Sequence, residues 1–198
     1  MKTRALLTAS VLCLAGPAFA QGKAPAAQEK AAAKKEDKAA AKKDEKAADK
    51  AAAGATARAE VKDQKGQTVG EVTLTETPHG TLVKGTLSNL PPGQHAIHIH
   101  EAGKCEAPFT TAGGHLNPDK KKHGLLVAEG KHGGDLPNLY VGADGKVQFD
   151  HFAHGLAMKD LQDADGAAVV VHASADDYKS DPAGNAGDRI ACGVVTKQ

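Results

Sequence analysis

From residue 57 onward, short runs of alternating apolar and polar residues are punctuated by turn-forming residues. That pattern confines the chain to a small antiparallel β fold. Ala59–Val61, Val69–Leu74 and Thr81–Leu87 alternate, and Lys65-Gly66, His79-Gly80 and Pro92-Gly93 flank them. Leu139-Tyr-Val141, then Ala143-Asp144-Gly145, then Val147-Gln-Phe149 predicts a β-hairpin. Ala167–Val171 and Arg189–Val195 are two further strands. Such a set closes as a sandwich or a barrel. Two long aperiodic stretches, 102–138 and 173–188, interrupt it, and long ordered loops in a compact domain usually carry function.

The first part of the chain has a different character. Lys2 and Arg4 precede an apolar run, Ala5–Ala15, too short to span a bilayer, and Ala18-Phe19-Ala20 is a small-x-small cleavage site. Residues 1–20 are expected to be a secretory signal, with Gln21 starting the mature chain. Cys13 sits inside the apolar run, not after it, so it is no lipid-attachment site. Residues 21–56 form a low-complexity arm in which Ala31-Ala-Ala-Lys-Lys-Glu-Asp-Lys38 is nearly repeated as Ala39-Ala-Ala-Lys-Lys-Asp-Glu-Lys46. Its residues favour helix, yet nothing larger than a methyl group forms an apolar face, so a semi-rigid spacer is expected. The arm is net basic and the remainder net acidic. Two roles stand for it, a solvated spacer and a weak contact with an anionic envelope surface. An overall charge of +1 gives no indication of nucleic acid.

Histidine carries the chemistry. There are ten, and their clustering sets them apart from isolated surface residues. His98-Ile99-His100 lies in an apolar run, and residues two apart in a strand project from one face. His95 falls on the opposite face and is expected to meet solvent. His115, His123, His132 and Asp135 follow at spacings of 8, 9 and 3. Three imidazoles and a carboxylate make a closed tetrahedral set suited to structural zinc. His172, after Val169-Val-Val171, can join the His98/His100 pair, and a set of imidazoles alone suits copper. His151 and His154 are expected at the surface, where with His95 they could make an adventitious site. Cys105 and Cys192, the two cysteines left after signal removal, are expected to pair in an oxidising compartment.

These segments resemble the copper,zinc superoxide dismutases. Gly93-Gln-His-Ala-Ile-His98-Ile-His100-Glu101-Ala-Gly103-Lys-Cys105 looks like their copper signature, and Gly113-Gly-His115-Leu-Asn-Pro118 like their bridging-histidine segment. His132-Gly-Gly-Asp135-Leu-Pro resembles the end of their zinc loop, and Gly184-Asn-Ala-Gly-Asp-Arg189-Ile-Ala-Cys192-Gly-Val their second signature. The resemblance covers about residues 57–197, and the Leu-Pro after Asp135 points to the bacterial periplasmic branch. It implies an eight-stranded Greek-key barrel with two long functional loops, one copper and one zinc per chain, and dismutation of superoxide to oxygen and hydrogen peroxide. It implies that His98, His100, His115 and His172 bind copper, and that His115, His123, His132 and Asp135 bind zinc, His115 bridging the two and moving a proton. Arg189 would guide the anion, Asp176 would link His98 to His123, and a Cys105–Cys192 disulfide would hold the ligand loop to the barrel. A non-enzymatic copper and zinc carrier is the alternative, and monomer and homodimer both stand. The 173–188 segment is short for the family, with only Lys179 as a steering charge there and Ala183 where other members place a threonine. Lys120, Lys121 and Lys122 either take over the steering or form a solvated loop.

Overall fold

The computed structural model describes residues 54–198; the expected signal, and all of the expected arm before residue 54, lie outside the described residues. Nine strands follow in order: β1 (Thr56–Asp63), β2 (Thr68–Thr77), β3 (Gly80–Leu87), β4 (Gly93–His95), β5 (Ile97–His100), β6 (Leu139–Val141), β7 (Val147–His154), β8 (Ala168–His172) and β9 (Arg189–Lys197). One short helix, α1 (Met158–Leu161), sits between β7 and β8. Seven strands form one antiparallel sheet in the order β5-β8-β9-β1-β2-β3-β7, and β4 pairs with β6. Only Ala96 separates β4 from β5, so the two sheets share a strand line and the whole curls around one core. Counting β4 and β5 as one strand broken at Ala96, the eight expected strands are all present.

Alternation explains most of the interior. Ala57, Ala59 and Val61 of β1 and Val72 and Leu74 of β2 are fully buried, as are Ile97 and Ile99 of β5. The β8 strand, Ala168-Val-Val-Val-His172, is buried on both faces. Val169 and Val171 join the main core, while Ala168 and Val170 pack against Phe109, Ala112 and Cys192. A continuous apolar run is what such a doubly covered strand requires. Phe109, 3% exposed, anchors the 102–138 loop from outside the barrel, a contact worth roughly 1.5–3 kcal/mol. The same loop is pinned again at Leu136, which is fully buried in the main core beside Asp135.

The hairpin expected over 139–149 is corrected. Its turn forms, with Gly142 N–H on the Lys146 carbonyl at 2.9 Å. Its two arms then part: β6 pairs with β4, and β7 pairs with β3 along its whole length. Leu139 and Phe149 both turn inward, and separate partners let each fill a different part of the core.

Candidate metal centre

Strand β5 carries the site. Ile97 and Ile99 face the core, so His98 and His100 face the other way and would be exposed on a bare barrel. Both are nonetheless fully buried, because the 102–138 loop folds back along the strand. Isolated bridges set His115 beside His100 and Asp135 beside His98. The loop is held by Ile99 N–H on the Gly134 carbonyl (2.9 Å) and Leu116 N–H on the Ile99 carbonyl (2.8 Å). A Cβ on Gly134 would lie 2.1 Å from the Ile99 carbonyl, so only glycine permits this approach. On the other side, β8 pairs with β5 and delivers His172, which lies opposite Arg189 across the β8–β9 ladder, at an irregularity in register.

Two sets of inward-facing atoms result. Atoms of His98, His100, His115 and His172 lie within 4.8 Å of one another, and so do atoms of His115, His123, His132 and Asp135. His115 belongs to both. The outer nitrogens show how the rings are held. Nε2 of His98 contacts Oδ2 of Asp176 at 2.8 Å, and Nε2 of His123 contacts Oδ1 of the same carboxylate at 3.0 Å. Nδ1 of His100 donates to the Gly113 carbonyl (3.0 Å), and Nδ1 of His172 to the Gly187 carbonyl (3.3 Å). With these nitrogens protonated, Nδ1 of His98 and Nε2 of His100 and His172 present lone pairs to the interior.

Those lone pairs need a cation. Nε2 of His100 and Nε2 of His172 face each other at 3.4 Å, with no proton between them once their outer nitrogens donate. Nδ1 of His98 and Nε2 of His115 are buried without any partner. On the other side, Oδ1 of Asp135 lies 2.9 Å from His115 Nδ1, 3.0 Å from His123 Nδ1 and 3.5 Å from His132 Nδ1. Its Oδ2 accepts the Gly124 and His132 N–H groups, each at 2.9 Å. One carboxylate oxygen facing three imidazole nitrogens is a tetrahedral donor set. The residues present fit two metals that share one imidazole.

On the all-imidazole side, electrostatics agree with that arrangement. Burial pushes His98 down to about 4, His100 down to about 2 and His172 down to about 3, so all three rings are neutral ligands at neutral pH. Burial also opposes a charge on His123, but its bonds to Asp135 and Asp176 outweigh it and lift the ring to about 9. Burial likewise disfavours the Asp135 and Asp176 carboxylates, yet the imidazole hydrogen bonds hold both below the ordinary carboxylate range. Arg189, half-buried, donates to the Phe109 carbonyl (2.6 Å) and the Gly113 carbonyl (2.7 Å). The Gly113 carbonyl therefore holds both Arg189 and His100.

The structure brings every expected site residue together, and adds some that sequence reasoning missed. His95 is buried and not solvent-facing: its ring is wedged between the His172 and Pro91 carbonyls, each 2.9 Å away. It shares a pleat face with Ile97 and Ile99, which is the covered face here. His154 is exposed as expected, whereas His151 is half-buried beside Phe149 with Nδ1 unpartnered. Lys120, Lys121 and Lys122 are exposed, with Lys121 near Asp119. Asn138 and Asp176 exchange hydrogen bonds, and the Tyr178 hydroxyl accepts the Asn138 N–H at 2.7 Å. Gly184 closes the site from above at φ +65, where a Cβ would lie 1.9 Å from Asp176 Oδ1 and 2.7 Å from His123 Nε2. Gly184→Ala is therefore expected to push Asp176 off both histidines. Metal affinity should fall by about 10–100-fold, the usual effect of losing an outer partner, and chelator competition against the parent protein measures it.

An antiparallel barrel that presents two ligand sets joined at one histidine defines a binuclear metalloprotein. A family model described as "Copper/zinc superoxide dismutase (SODC)" matches residues 68–195. The "Superoxide dismutase [Cu-Zn] 1" of Aquifex aeolicus is 49% identical over 144 residues, 69% of this chain and 85% of that protein. Among solved structures, the Cu/Zn superoxide dismutase from Brucella abortus superposes with a TM-score of 0.61 at 32% identity, covering 71% of this chain and 99% of its own. A SOD-like protein from Bacillus subtilis gives a TM-score of 0.68 at 37% identity, covering 73% and 100%. The chain belongs to the copper/zinc superoxide dismutase family, whose copper and zinc suit the two donor sets described here.

Proposed function

We propose that this chain is an exported superoxide dismutase in which His98, His100, His115 and His172 hold copper and His115, His123, His132 and Asp135 hold zinc. The observation that carries the assignment is the pair of opposed lone pairs on His100 and His172 beside the orphaned Nδ1 of His98 and Nε2 of His115. When bound, copper supplies one-electron exchange in both directions, while zinc, without redox chemistry, fixes geometry. Every other element comes from the protein. His115 turns one nitrogen to each side, so its Nε2 is the atom that takes up a proton in one half-reaction and releases it to the nascent peroxide in the other. Asp176 couples the halves by orienting His98 and His123 together.

Arg189 is permanently charged and cannot compete for the proton. Two carbonyls fix its guanidinium next to His100 and His172, where it draws in a small anion in preference to neutral oxygen. Arg189→Gln is expected to lower the rate by roughly 10-fold and to flatten its dependence on ionic strength. A rate unchanged at every salt concentration would sink the steering role. The exposed Lys120–Lys122 run adds positive charge between His115 and His123.

The division of the chain follows the same reading: residues 1–20 as a signal removed after Ala20, 21–56 as a spacer and 57–198 as the catalytic domain in the periplasm. The Cys105–Cys192 disulfide supports an oxidising compartment. The purified chain should dismutate superoxide with one copper and one zinc bound. Full occupancy without activity would instead make it a metal carrier.

A further inference from the structure

Five of the six ligand imidazoles have their orientation accounted for. Asp176 holds His98 and His123, the Gly113 carbonyl holds His100, the Gly187 carbonyl holds His172, and His115 turns both nitrogens inward. His132 is the exception. Its Nδ1 faces His115 and Asp135, but among the described residues its Nε2 has no acceptor at hydrogen-bond distance. The group facing it is Oδ1 of Asp181, 3.9 Å away. That oxygen also accepts the backbone N–H of His123 at 2.7 Å. One carboxylate oxygen of the 173–188 loop thus reaches two of the three loop histidines of the zinc set, His123 through its backbone and His132 through its ring. Burial does not explain its placement, since the Asp181 side chain is 53% exposed.

We propose that Asp181 is a positioning residue for the zinc half, fixing the His123 backbone and holding the proton of His132 on Nε2 so that Nδ1 faces the metal. The proposal rests on the assignment of His115, His123, His132 and Asp135 to zinc. At 3.9 Å the ring contact is electrostatic; a shift of about 1 Å in an exposed side chain, or one bridging water, makes it a hydrogen bond. A negative charge at that point makes the ring the better donor, the role that carboxylates play behind zinc-bound histidines. Asp181 would do for His132 what Asp176 does for His98 and His123, so that two carboxylates of the second loop act on histidines of the site.

The test compares the full chain with its Asp181→Ala and Asp181→Asn variants. Zinc affinity is measured by competition with a chromophoric chelator, and the absorption bands of the Co2+-substituted protein report ligand geometry. The Ala variant should bind zinc about 10–100-fold more weakly with altered cobalt bands, while copper affinity holds. The Asn variant keeps an oxygen for His123 but loses the charge, and should fall between Ala and the parent. Parent-like zinc affinity and cobalt bands in the Ala variant would overturn the proposal. Full rescue by Asn would overturn the His132 half, leaving Asp181 as a backbone cap. A drop in metal-free thermal stability that accounts for the whole loss of affinity would make the residue merely structural and overturn it too. A parent chain that binds neither zinc nor cobalt would instead overturn the zinc assignment itself.

Discussion

Replacing His172 with alanine should abolish dismutation while leaving the zinc half loaded. His172 donates only to the all-imidazole set: its Nε2 faces His100 Nε2, and none of its atoms belongs to the set around Asp135. Alanine at this position removes one of four inward nitrogens and opens the neighbouring lone pairs to water. Copper should therefore bind far more weakly, by more than the 10–100-fold typical of losing an outer partner alone. Activity should fall at least in proportion. The fold should persist, because the backbone bonds of His172 survive: its N–H still reaches the Ala96 carbonyl, and its carbonyl still meets His95. Metal analysis and rate on one sample decide the matter. Copper lost, zinc kept and activity gone support the division into two halves. Zinc lost together with copper would mean that the halves are not separable, and retained activity would remove His172 from the site.

How much of this was legible beforehand depended on whether the determining contacts are local. The two donor sets were legible because strand geometry puts His98 and His100 on one face, and because His115, His123, His132 and Asp135 all fall within one long loop. Strand β8 was legible as an apolar run, although only the structure shows that Phe109 covers its second face. The 139–149 hairpin misled because its turn chemistry is genuine: Asp144-Gly145 makes the turn, but partner choice is decided by β3 and β4, which lie far away in sequence. His95 misled for a related reason. Alternation gave its face correctly, but not that the face is covered and supplies two carbonyls. Asn138, Tyr178 and Asp181 carried no local signal at all. Their roles arise only when the two long loops meet, as where Tyr178 accepts from Asn138 through its hydroxyl and from Leu126 through its carbonyl.

Loss of the Cys105–Cys192 bridge should cost both stability and rate, and the two losses have one cause. The bridge spans 87 residues, and closing a loop of that length restricts the unfolded chain by about 4 kcal/mol. A Cys105→Ser/Cys192→Ser variant should accordingly show a clearly lower melting temperature, with the apolar cluster of Phe109, Ala112, Ala168 and Val170 retaining part of the loop contact. The effect on rate runs through Arg189, three residues before Cys192 on β9. Its two acceptors, the Phe109 and Gly113 carbonyls, lie on the loop that Cys105 tethers. Without the tether those carbonyls move more freely, and the guanidinium and the His100 ring, which share Gly113, lose their common anchor. Arg189→Gln introduced into the disulfide-free chain should therefore cost less than in the parent, because part of what it removes is already gone. Interacting sites give non-additive effects of this kind. Fully additive losses in a double-mutant cycle of rates would show that the disulfide only stabilises the barrel and does not hold Arg189 in place.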